Sequence, residues 1–99
     1  MTTKHTPGPW SIGDRQANNN TLPIHADIHI EPIASILPRP FYADTQEANA
    51  RLIAAAPEIL SLLESLTFIA ETVAHLRGLE RDILPTTDKA RELIARVKG

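Results

Sequence analysis

Ile24-His25-Ala26-Asp27-Ile28-His29-Ile30 alternates without a break. Ile24, Ala26, Ile28 and Ile30 fall on one side; His25, Asp27 and His29, followed by Glu31, fall on the other. Successive side chains of an extended chain point to opposite faces, so this spacing predicts a β-strand with one apolar and one polar face. Such a strand needs partners. Pro9-Trp10-Ser11-Ile12 upstream and residues 33–37 downstream are short runs of suitable composition, and residues 13–21, rich in Asp, Asn and Gln, read as an exposed loop. Pro32 cannot donate to a ladder, which puts that end of the strand at a sheet edge or a turn. The expectation is a small antiparallel sheet of two or three strands.

Past residue 43 the composition changes. Six of the eight prolines (Pro7, Pro9, Pro23, Pro32, Pro38, Pro40) lie in the first 43 residues, whereas residues 44–99 hold only Pro57 and Pro85 and are rich in Ala, Leu, Ile, Glu and Arg. Proline breaks helices and the second composition favours them. A β-and-turn half (1–43) therefore precedes a helical half (44–99). Neither has much core material alone, so the reading is one α+β domain over 1–99, the sheet packed on a kinked long helix and a C-terminal helix.

In the helical half, Asp44 and Glu47 have the spacing of a capping box for a helix over about 45–56. Pro57 then either kinks that helix or starts the next. Ile59, Leu63, Leu66, Ala70 and Val73 recur at intervals of four, three, four and three, and Leu62, Ile69 and Leu76 form a second stripe seven apart. Two stripes make a wider apolar face than a small sheet needs to cover, which predicts a second helix on it, from this chain or another subunit. Leu62, Leu66, Ile69, Val73 and Leu76 are the candidate oligomer interface, giving a homodimer or a multiple of dimers. Gly78 ends this helix, Pro85 marks a break, and Thr86 or Thr87 caps a last helix with an apolar stripe of Ala90, Leu93, Ile94 and Val97.

Ten Lys plus Arg against twelve Asp plus Glu give a net charge of −2, which excludes a protein that grips nucleic acid chiefly through its phosphates. The absence of cysteine removes disulfides, thiolate nucleophiles and Cys-ligated zinc. The first eight residues do not resemble a secretory signal, and the apolar stretch 59–76 is interrupted by Glu64, Glu71 and His75, so no membrane segment is expected.

Two segments together resemble a known pattern: His5-Thr6-Pro7-Gly8-Pro9-Trp10, and Ala48-Asn49-Ala50-Arg51-Leu52-Ile53-Ala54-Ala55-Ala56-Pro57-Glu58-Ile59-Leu60. They are similar to the paired signature of small tailed-phage and prophage proteins, which open on TPGPW and carry an NARLIAAAPELL helix after a short variable β region; the Ead-like early-region proteins share it. The likeness covers about 20 of the 99 residues, with Ile59 where the common form has leucine. It implies a phage accessory gene, a class that commonly acts on the host.

Trp10, after a rigid Pro-Gly-Pro turn, either stacks on a base or partner, or packs over the small Ala54-Ala55-Ala56 face. Asn49 has donors and an acceptor for a base edge or for tying down the turn near Pro9, and Arg51 can hold a phosphate or carboxylate. His25, Asp27 and His29 share a strand face; with His5 they have the outline of a metal site, but two alternate ligands need a third, and a partner-facing polar surface is the expectation. There is no phosphate loop, nucleophile elbow or HExxH. The reading is a non-enzymatic phage protein without cofactor or metal, working in the host cytoplasm. It blocks a host immune protein complex in the manner of an anti-CRISPR. The alternatives are an oligomeric sponge for a nucleotide messenger, with Trp10, Asn49 and Arg51 near its pocket, and a small DNA-binding regulator.

Overall fold

The computed structural model describes residues 4–27, 31–38 and 43–99. Three strands, β1 (Trp10–Ile12), β2 (Leu22–Ala26) and β3 (Ala34–Ile36), precede three helices, α1 (Ala43–Ala54), α2 (Ala56–Arg77) and α3 (Glu80–Lys98). The fold class is α+β, in the order the composition predicts. The residues gather into two compact units, Thr6–Glu58, and Ile59–Gly99 with Lys4 and His5.

In the first unit β2 is the central strand of an antiparallel sheet of order β1-β2-β3. Trp10 stands opposite Ala26, and Ile24 stands opposite Ile12 on one side and Ala34 on the other. The alternation holds: Ile24 and Ala26 are 0% and 2% exposed, His25 is half-buried and Asp27 is exposed. The strand starts two residues earlier than its apolar pattern suggests, at Leu22. Asn20, at φ 59, turns the chain into it, and Pro23 is tolerated because its missing N–H faces the same side as its carbonyl, which accepts from Gly13 N–H (2.9 Å) just past the end of β1. Ile28, His29 and Ile30 lie outside the described residues.

Leu22, Ile24 and Ala50 form the core of this unit, with Trp10, Ile33, Ala34, Ile36, Ile53 and Ala54 packed around them. Within this unit the helix on the sheet is α1. The reason is local: Ala50, Ile53 and Ala54 give α1 its own apolar face at helical spacing. The capping box is corrected, since α1 begins at Ala43 and Asp44 lies inside its first turn. Pro57 is the second residue of α2, where the first turn has no intrahelical use for its missing N–H.

The second unit is an antiparallel helical hairpin. Gly78, at φ 68, ends α2, and Leu79 N–H donates to Ala74 O (2.9 Å), the bond that closes a Schellman cap. Helix α3 starts immediately, at Glu80, and runs through Pro85, so the expected break there and a start at Thr86 or Thr87 are corrected. Pro85, the sixth residue of α3, forgoes the interior bond to Arg81 O without ending the helix, and Thr87 is instead a buried seam residue whose hydroxyl donates to Leu84 O (3.2 Å). The seam is narrow and small: Thr67 and Ala74 from α2, Thr87 and Ile94 from α3. Thr67 Oγ1 donates to Leu63 O at 2.6 Å, which satisfies it inside the helix. Along one side the seam is closed by Glu64–Lys98 (2.7 Å) and by Glu71–Arg91, where Arg91 donates from Nη2 (2.6 Å) and Nε (3.1 Å). By length and composition α2 is a helix that can cross a bilayer, though it carries both of these paired carboxylates.

Two outcomes test this layout. Ile24→Ala should lower stability by about 3 kcal/mol, and His25→Ala by less than about 1 kcal/mol, in urea denaturation followed by Trp10 fluorescence; equal losses would refute the facing. The Arg91 hydrogen bond holds the Glu71 carboxyl below its ordinary value, so the pair stabilises the hairpin above the ordinary carboxylate range. That stabilisation disappears as pH falls through the lowered value. The helical melting temperature of wild type should therefore exceed that of Glu71→Gln at neutral pH, and the difference should close only as pH falls through the lowered Glu71 value.

Candidate functional site

The two signature segments meet in the first unit. A Cβ placed on Gly8 would lie 2.6 Å from Cβ and 2.9 Å from Cγ of Pro57, so the Pro-Gly-Pro turn rests directly on the proline that opens α2. Asp27 N–H donates to Pro9 O (3.3 Å), tying the turn to the end of β2. Trp10 follows on β1, half-buried against the core beside Ile53 and Ala54. Its indole N–H lies 3.2 Å from both Thr6 O and Pro7 O, so its polar end is occupied by the turn that precedes it.

A second assembly sits at the start of α1. Gln46, a residue type normally at the surface, is only 2% exposed. Its Nε2 donates to Asn20 O (2.7 Å) and Ile36 O (2.9 Å), and its Oε1 accepts from Arg15 Nη1. Arg15 also reaches Asn20 O (3.3 Å), and through Nη2 the Glu47 carboxylate (3.2 Å). This network pins the 13–21 loop and β3 to the helix. One helical turn further on, Arg51 joins Glu47, Ile12 and Leu22 around a cavity of about 280 Å³. Its floor is apolar and its rim carries one cation and one anion.

The sequence-derived candidates fall in different places. Arg51 lines the cavity. Asn49 is exposed on α1 but two residues away, about 200° round the helix, and so faces elsewhere. Trp10 belongs to the core edge. His25 is half-buried with its ring against Gly13, Asp27 is exposed just past the strand, and His29 is outside the described residues. Among the described residues no three His, Cys, Asp or Glu side chains are grouped to hold a metal ion. Gln46 and Arg15 carry no motif, and only their position relative to the sheet reveals them.

A family model matches the whole chain, residues 1–99. The chain belongs to a phage protein family, Salmonella phage P22 protein Y8K6. Comparison with curated proteins and with solved structures gives no match. Membership in the Y8K6 family agrees with the phage origin that the paired segments imply, and the contact of Gly8 with Pro57 gives those segments a shared structural reason. Gly8→Ala should cost about 1–3 kcal/mol, because the new methyl has only Pro57 and backbone to displace. Trp10 fluorescence during urea denaturation measures it, and wild-type stability would show that the turn does not bear on Pro57.

Proposed function

We propose that this Y8K6-family protein is a non-catalytic phage accessory protein, of the kind the Ead-like early-region proteins represent, that binds a host immune protein complex and blocks it. The observation that carries the reading is the cavity beside Arg51. Its volume lies just under the roughly 300–1,000 Å³ of small-molecule sites, which suits a single protruding side chain of a protein partner. Ile12, 38% exposed at its edge, and Arg51 supply the apolar and guanidinium contacts typical of binding hot spots. A nucleotide messenger fits less well, because the Glu47 carboxylate shares the rim and sets a negative charge against phosphate. A net charge of −2 and helices without a basic face speak against a DNA-binding regulator.

The test is plating of a phage under CRISPR targeting on cells that express the protein. Wild type should restore plaques and co-elute with the purified effector. Arg51→Glu should weaken that binding by about 2 kcal/mol or more while leaving the Trp10 unfolding transition in place. If wild type restores no plating against any CRISPR type of the host, the reading falls. An intact nucleotide released from the heat-denatured protein would replace it with the sponge.

A further inference from the structure

The second unit has its large apolar side chains on the outside. Its buried residues are two threonines, one alanine and one isoleucine, whereas Ile59, Leu62, Leu66, Ile69, Val73 and Leu76 on α2 are 40–78% exposed. These six recur at intervals of three, four, three, four and three, one continuous stripe over about five turns. Leu63 and Ala70, grouped with them by spacing alone, are half-buried and turn toward the seam with Thr67 and Ala74.

The ion pairs fix which side of the hairpin this stripe occupies. Glu64 and Glu71 lie on one side of the α2 seam and the stripe on the other. On α3, Arg91 and Lys98 mark the same ion-paired side, so the opposite side carries Ile83, Thr86, Ala90, Leu93 and Val97, continued by Leu79 just before the helix. That set repeats at four, three, four, three and four and contains no charge. Leu79, Leu93 and Val97 are 39–48% exposed. The hairpin therefore has one ion-paired side and one broad, uncharged apolar side built from both helices.

We propose that a second copy of this chain covers that side, the two hairpins forming a four-helix bundle around a two-fold axis. The exposed surface of the nine large side chains amounts to roughly 800 Å², the share that each partner gives to a standard stable interface. It also exceeds the few hundred Å² of contiguous apolar surface usual on a monomer. An uncharged face does not repel its own copy, and a second copy brings the same three-four spacing that interdigitating helices require. A bilayer is the other apolar medium on offer. It suits this face less, because the hairpin would carry the charged flank of α3 (Asp82, Lys89, Arg96) down with it. A hairpin of about 40 residues with so small a seam is also in the size range that commonly needs oligomerisation to fold. This inference uses a different unit from the Arg51 cavity and stands or falls separately from the proposed host target.

Light scattering after size exclusion decides it. Wild type at micromolar concentration should show twice the 10.9 kDa of the chain, or a multiple of that dimer. Leu66→Glu, at a site 62% exposed in the protomer, should halve the mass of a dimer while keeping helical circular dichroism. Ser61→Glu, exposed on α2 but off the stripe, should leave the mass unchanged. Leu93→Glu gives the same reading from α3 should Leu66→Glu lose its helical signal. A 10.9 kDa species at every concentration, whether or not it sediments with anionic phospholipid vesicles, overturns the proposal. So does a dimer that survives both Leu66→Glu and Leu93→Glu.

Discussion

The contact between Ile24 and Ala50 is the one on which the sheet unit depends. Among the described residues Ile24 is the largest side chain with no exposure, and Ala50, also fully buried, lets α1 lie close over it. With strands of three and five residues the sheet has few ladder bonds, so register rests on which side chains reach that contact. Slipping β2 by one residue would send His25 into the core and Ile24 to the outer face. The buried Gln46 amide reinforces the same register from the polar side, bonding carbonyls that only this pairing brings together.

The hairpin is organised on another principle. Its seam is built from two threonines, an alanine and an isoleucine, with hydroxyls satisfied by their own helix, and ion pairs guard one edge. Apolar bulk is kept for the opposite side. Burial therefore does little to specify the hairpin in isolation, and the exposed stripe is where most of its hydrophobic stabilisation remains available.

How far the sequence discloses these features varies with the physics behind each. Strand alternation is legible from Ile24 to Asp27 because period two has a single reading. The strand's first residues are not, since Pro23 argues against a central strand until the position of Gly13 shows where its missing donor falls. Pro85 misleads for the converse reason: it reads as a break, yet the Gly78 cap delivers the chain straight into α3, which runs through it. The two stripes of α2 are visible as spacing, but their apolar arc is so wide that spacing cannot say which edge turns inward. That choice belongs to Glu64 and Glu71, which need the cations of α3. At the candidate site, Arg51 is readable as a helical cation, though it falls in the last turn of α1 and not near a helix start, while Gln46 and Arg15 resemble ordinary surface residues. Asn49 and Arg51 lie two residues apart in the signature and so point apart on the helix.

The seating of Gly8 on Pro57 has a topological consequence. It brings the entrance and the exit of the sheet unit to one spot, so that everything between them forms a closed excursion from a single point of the chain. A segment with coincident ends is portable: it can lengthen, shorten or exchange its loop at 13–21 without moving the points at which it joins its neighbours. Variation in the stretch between the paired segments is then free to reshape the surface around Arg51, while turn and proline keep the frame closed.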